Sequence, residues 1–177
     1  MTEPLQEATH VTLGRNFRTP AHPRVLAALG RALYCFLSLE ESVTAIMFDA
    51  GAATLPMTRG KMAGAKEQAL ADLAERYRAS VSGAAVADSL DAAVTAFRTA
   101  RKSVRNELLH AHPYTAGEDA SGNYLPGLAY TARDGRSWRT VSSTPEDLLD
   151  LATEVERATY PLSAAREAVR ALPLSAL

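Results

Sequence analysis

At 177 residues, with 19 Lys and Arg against 20 Asp and Glu, the chain carries a formal net charge of −1. That balance excludes a global field drawing it to nucleic acid or anionic lipid, so any contact with a polyanion must be local. The length suits one domain that needs neither disulfide nor metal to fold, and a lone cysteine, Cys35, excludes an internal bridge and fits a reducing compartment.

Residues 1–20 read as an irregular segment ahead of one domain over 21–177. Met1 to His10 is polar and acidic and lacks the basic start and apolar block of a secretion signal. No stretch reaches the roughly 20 apolar residues that a bilayer crossing needs, so a cytoplasmic location without membrane contact is expected. Thr19-Pro20-Ala21-His22-Pro23 signals a helix start, since proline fits the first turn. From Arg24 to about Phe48 the positions Val25, Leu26, Leu29, Leu33, Phe36, Leu37, Val43, Ile46 and Met47 recur at helical spacing and predict a long helix buried along one side. Cys35 lies in its apolar run Leu33-Tyr34-Cys35-Phe36-Leu37, with no cation beside it, and reads as a buried structural thiol. Gly51 and the loop through Leu55-Pro56 end the helix.

A second helix is expected from about Lys61 to Arg78, with Leu70, Leu73 and Tyr77 inside and Lys66, Glu67, Asp72, Glu75 and Arg76 on a wet face. Ser80-Val81-Ser82-Gly83 breaks the pattern. A third helix is expected from about Ala84 to Ala111, stopped by Pro113, because the residue before a proline is pushed out of helical geometry. The stretch 115–123 reads as a solvated loop. Tyr124–Thr131 and Ser137–Ser142 then flank Arg133-Asp134-Gly135-Arg136, a hairpin signal, giving a small β-hairpin over about 124–142. Thr144, Pro145, Glu146 and Asp147 open a last helix with a cap, a first-turn proline and acids. Pro161 is expected to interrupt it, with a tail helix over 162–172. The fold class that follows is mainly α: an antiparallel helical bundle with a small hairpin inserted before the C-terminal helices.

Chemistry concentrates in Arg101-Lys102-Ser103-Val104-Arg105-Asn106-Glu107-Leu108-Leu109-His110-Ala111-His112. On a regular helix Asn106 and His110, four apart, share a face. An amide one turn back can bond one ring nitrogen of His110 and fix its tautomer. A titratable base, a permanent cation and an orienting amide thus fall within two turns. Phosphoryl transfer at RNA needs those parts: a base for the ribose hydroxyl and a cation for the charged transition state.

Arg105-Asn106-Glu107-Leu108-Leu109-His110 resembles the R-x4-6-H motif of the HEPN superfamily, with a polar residue directly after the arginine and a position late on a long helix. The resemblance implies a HEPN-like bundle and a metal-independent endoribonuclease of toxin–antitoxin, antiviral or phage-defence type. It implies a homodimer whose two motifs meet in one composite site, and products with 2′,3′-cyclic phosphate and 5′-hydroxyl ends. It makes His110 the general base or acid, Arg105 the transition-state cation and Asn106 the positioning residue. No cofactor is implied, and an antitoxin or nucleotidyltransferase is the protein partner it suggests. Some members carry a tyrosine two residues after the histidine. Here that position is His112, and the nearest tyrosine is Tyr114, so the resemblance does not extend to tyrosine modification.

Around the motif, His112 is an auxiliary candidate, and so are Arg101 and, from the first helix, Glu41, an acid that can steer Arg105 or His110. Glu40 beside it reads as a carboxylate bonded to a backbone group or to an arginine from another helix. Arg98, Lys102, Arg136 and Arg139 are candidates for RNA contact, because at this net charge only segregated cations give phosphate affinity. Tyr124, Tyr130 and Trp138 offer rings for base stacking. His110 and His112 alone do not make a zinc site, which needs a third or fourth ligand. The alternative to an enzyme is a non-catalytic HEPN-like module that dimerises or docks a partner.

Overall fold

The computed structural model describes residues 22–108, 110–134 and 137–176; the side chains of 105–107, 116, 132–134 and 137–139 are outside that description. The irregular segment expected over 1–20 lies outside it too.

The first helix, α1, is Pro23–Asp49. Pro23 takes the first helical position and His22 caps it, its Nδ1 accepting from the Arg24 amide at 3.3 Å. Val25, Ala28, Ala32, Phe36, Leu39, Val43 and Ile46 are buried, stepping by three and four along one side. Leu26 and Leu37, expected in that stripe, stand exposed, because each follows a buried position by one residue and so points about 100° away. Cys35 is half-buried at the edge of the core rather than inside it. The helix ends in a Schellman turn: Gly51 takes φ 68°, its N–H reaches the Phe48 carbonyl at 2.9 Å, and the Ala52 N–H reaches that of Met47 at 3.0 Å. Gly51→Ala is expected to cost about 1–2 kcal/mol through the left-handed conformation alone, read as a lower midpoint in urea with unchanged slope.

A short helix, α2 (Leu55–Arg59), occupies the connection that sequence reading left as loop. Helix α3 is Ala63–Arg78, with Leu70, Leu73 and Tyr77 inside as expected. Its wet face is narrower than the sequence suggests, since Lys66 is buried and Glu67 half-buried. Helix α4 is Ala84–Ala100. The expected continuation to Ala111 as one α-helix does not form: over Arg101–Leu108 the pairing widens to a π-helix, with i→i+5 hydrogen bonds. Ala100, Val104 and Leu108 stay buried across the junction.

A three-stranded antiparallel sheet follows, in order β1-β2-β3: His112–Glu118, Tyr124–Asp134 and Ser137–Ser143. The β2–β3 hairpin is the expected one, with Asp134 opposite Ser137. Strand β1 runs into the stretch 115–123, for which the sequence predicts a solvated loop. It carries Pro113 and Gly117, residues that weaken a strand signal, yet it lies at the sheet edge, where proline is tolerated, and Gly117 takes φ 135° at a register shift, a bulge.

Helix α5 (Pro145–Arg157) begins with a complete capping box between Thr144 and Asp147. Helix α6 is Thr159–Ala171. The break falls at Ala158, earlier than Pro161, which sits in the first turn of α6, where its missing N–H is not needed. The buried residues of α1, α3, α4, the π segment, α5 and α6 form one cluster that also takes in Leu128 of β2. No helix among the described residues is long and apolar enough to cross a membrane.

Candidate functional site

The site is organised by the junction from α4 through the π segment into β1. His110 stands exposed in the turn after that segment, which is closed by the Ala111 N–H donating to the Leu108 carbonyl at 3.2 Å. His112 is exposed at the first position of β1, opposite Ala129. Arg105 and Asn106 lie within the π segment, and the convergence of their side chains on His110 falls outside the described residues. The α-helical register that would put Asn106 and His110 on one face does not hold there, since the chain is π-helical up to Leu108 and a turn at His110.

Two of the nearby cations have a definite partner. Arg98 and Arg101 both donate through Nε to Glu67 of α3, at 2.6 and 2.8 Å. Only 13% of the Glu67 side chain is exposed. Burial raises its pKa, but the hydrogen bonds from Arg98 and Arg101 prevail and hold it below the usual carboxylate range. Two guanidinium groups on one carboxylate leave a net positive charge beside the π segment and fix where it sits. Lys102 is exposed. Arg136 and the side chain of Arg139 fall outside the described residues, as does Trp138's.

Glu41 is exposed and accepts from Arg59 of α2 at 2.6 Å, a hydrogen bond that lowers its pKa. Its partner among the described residues is therefore on α2. Its neighbour Glu40 meets Lys66 of α3 at 3.2 Å, the ammonium only 5% exposed. The sequence predicts a backbone group or an arginine as the partner of Glu40; the structure gives a lysine, buried on what reads as a wet face.

Sequence reading missed three further features. Glu67 organises two cations 31 and 34 residues away, a relation without a local signature. Asp49, in the last turn of α1, where the helix dipole disfavours an acid, is held by Arg166 and Arg170 of α6 at 2.6 and 2.8 Å. Burial raises the Asp49 pKa, but those two hydrogen bonds outweigh it and the net direction is down. The third is a groove of about 790 Å³ between the start of α1 and the β1–β2 face, walled by Leu26, Ala111, Tyr114, Tyr124 and Pro126 among others.

Because Asp49 and Glu67 titrate lower when folded, protons favour the unfolded chain at both. Their contribution is complete above the ordinary carboxylate value of about 4 and is lost as pH falls through the folded values. The midpoint of thermal unfolding is expected to fall steeply below about pH 4, and the Asp49→Asn, Glu67→Gln double variant to flatten that acid limb; an unchanged limb assigns acid unfolding to other groups.

Among the described residues no group of three or more His, Cys, Asp or Glu is placed to hold a metal ion. No protein-family model matches the chain, and neither a curated protein nor a solved structure does.

Proposed function

We propose that the chain is a HEPN-like, metal-independent endoribonuclease, an antiparallel bundle acting as a cytoplasmic homodimer in a toxin–antitoxin or antiviral setting. The observation that carries the reading is the exposed imidazole of His110, five residues after Arg105, in the turn that ends a π-helical segment; π-helical turns occur frequently at functional sites. The net positive charge of Arg98 and Arg101 on Glu67 supports it by offering an anchored field for phosphate.

In this chemistry one imidazole takes the proton of a ribose 2′-hydroxyl. The 2′-oxygen attacks the adjacent phosphorus, the bond to the 5′-oxygen breaks, and a second proton donor, the same histidine of the other protomer, protonates the departing oxygen. The products are a 2′,3′-cyclic phosphate and a 5′-hydroxyl. Arg105 meets the charge that develops on the phosphoryl oxygens, and Asn106 orients the base.

The alternative, a non-catalytic module that docks a partner, draws on the exposed Tyr34 and Leu37 of α1. The test is incubation of mixed tRNA and mRNA with the protein in excess EDTA, followed by analysis of the ends. Cleavage giving cyclic phosphate ends, abolished by 2′-deoxy substitution at the cut site, is expected. Absence of cleavage, or cleavage only with added divalent metal, overturns the reading.

A further inference from the structure

The groove between α1 and the β1–β2 face has no part in the chemistry above, yet its wall begins one residue beyond His110. Ala111 lines it, followed by Pro113 and Tyr114, so the residues that leave the proposed base lead directly into it. Consecutive Cα atoms are 3.8 Å apart, so the groove's wall starts beside the proposed base along the chain. We infer that this groove is a subsite for one unpaired nucleobase of single-stranded RNA, a proposal that rests on the ribonuclease reading of the adjacent segment.

Three features select that ligand. Among the described residues no Asp, Glu, Lys or Arg lines the groove, which suits a flat, uncharged group and leaves the phosphate to the cations outside. Two rings stand on its wall, Tyr114 of β1 and Tyr124 at the start of β2, 44% and 74% exposed. The residue across from Tyr114 on β2 is Gly127, so the position directly opposite the ring carries no side chain. Aromatic faces left open in this way stack bases regardless of sequence, while the two phenol hydroxyls remain free to rotate towards a base edge. The volume of about 790 Å³ lies within the usual range of small-molecule pockets. A base inside a duplex is paired and stacked and does not enter such a groove, so the subsite selects single strands.

The experiment uses the full chain and a short RNA that carries 2-aminopurine and is made uncleavable by 2′-O-methylation. Binding is expected to quench the fluorophore. Tyr114→Ala or Tyr124→Ala should weaken binding about tenfold, Tyr114→Trp should preserve it, and a duplex of the same sequence should compete poorly. Without quenching, or with both alanine variants binding like wild type, the subsite is overturned even if RNA cleavage persists. Quenching that depends on the tyrosines in a protein that cleaves nothing upholds the subsite and overturns the nuclease. Should the tyrosine substitutions instead change the mass in solution without changing RNA affinity, the groove is a contact between copies and the inference fails.

Discussion

His110→Ala is expected to lower the rate of RNA cleavage by about 10²–10⁴-fold, the usual contribution of a positioned acid or base. Arg105→Ala is expected to lower it by about 10²–10³-fold, as for loss of a charge-stabilising donor. Arg105→Lys should recover only part of that loss, because an ammonium keeps the charge but not the paired donors of a guanidinium. His110 is exposed, so its variant should keep the wild-type melting temperature, surface replacements being worth within about 0.5 kcal/mol. The combination of lost rate and kept stability separates a chemical role from a structural one. If His110→Ala cleaves as fast as wild type, the imidazole is not the proton-transfer group. If both variants instead lose stability or partner binding while wild type shows no cleavage, the binding-module reading stands.

Glu40→Ala is expected to destabilise the protein by about 3 kcal/mol, whereas Lys66→Met should cost less than about 1 kcal/mol. The asymmetry follows from exposure: the Lys66 side chain is 5% exposed and the Glu40 side chain 20%. Removing Glu40 leaves a buried ammonium with the Glu40 backbone carbonyl, at 3.5 Å, as its nearest remaining acceptor, and stranding one partner of a buried pair is strongly destabilising. Removing the lysine charge leaves a carboxylate that water already reaches, while methionine fills most of the vacated volume. At about 2–4 °C per kcal/mol for a chain of this size, the first variant should melt roughly 6–12 °C lower and the second within about 4 °C of wild type. Equal losses would mean that both ends are equally buried in solution.

What the sequence determined alone is what depends on neighbours along the chain. The proline and cap before α1, the Gly51 stop and the Thr144–Asp147 box each satisfy backbone groups within a few residues, so residue type and spacing suffice to find them, and the β2–β3 hairpin is announced by Asp-Gly in the same local way. The Arg105–His110 spacing is also read from neighbours along the chain, and the chemistry assigned to it is a proposal. What only the tertiary structure decided concerns partners far apart in sequence. Lys66 and Glu67 look like ordinary wet-face residues until α1 and α4 supply Glu40, Arg98 and Arg101. Strand β1, with its proline and glycine, is a strand because β2 offers hydrogen bonds that its own residues do not advertise. The change from α to π pairing at Arg101 belongs here too: no proline or glycine between Arg101 and Leu108 announces it, and Val104 and Leu108 within it are buried in a core built by other helices.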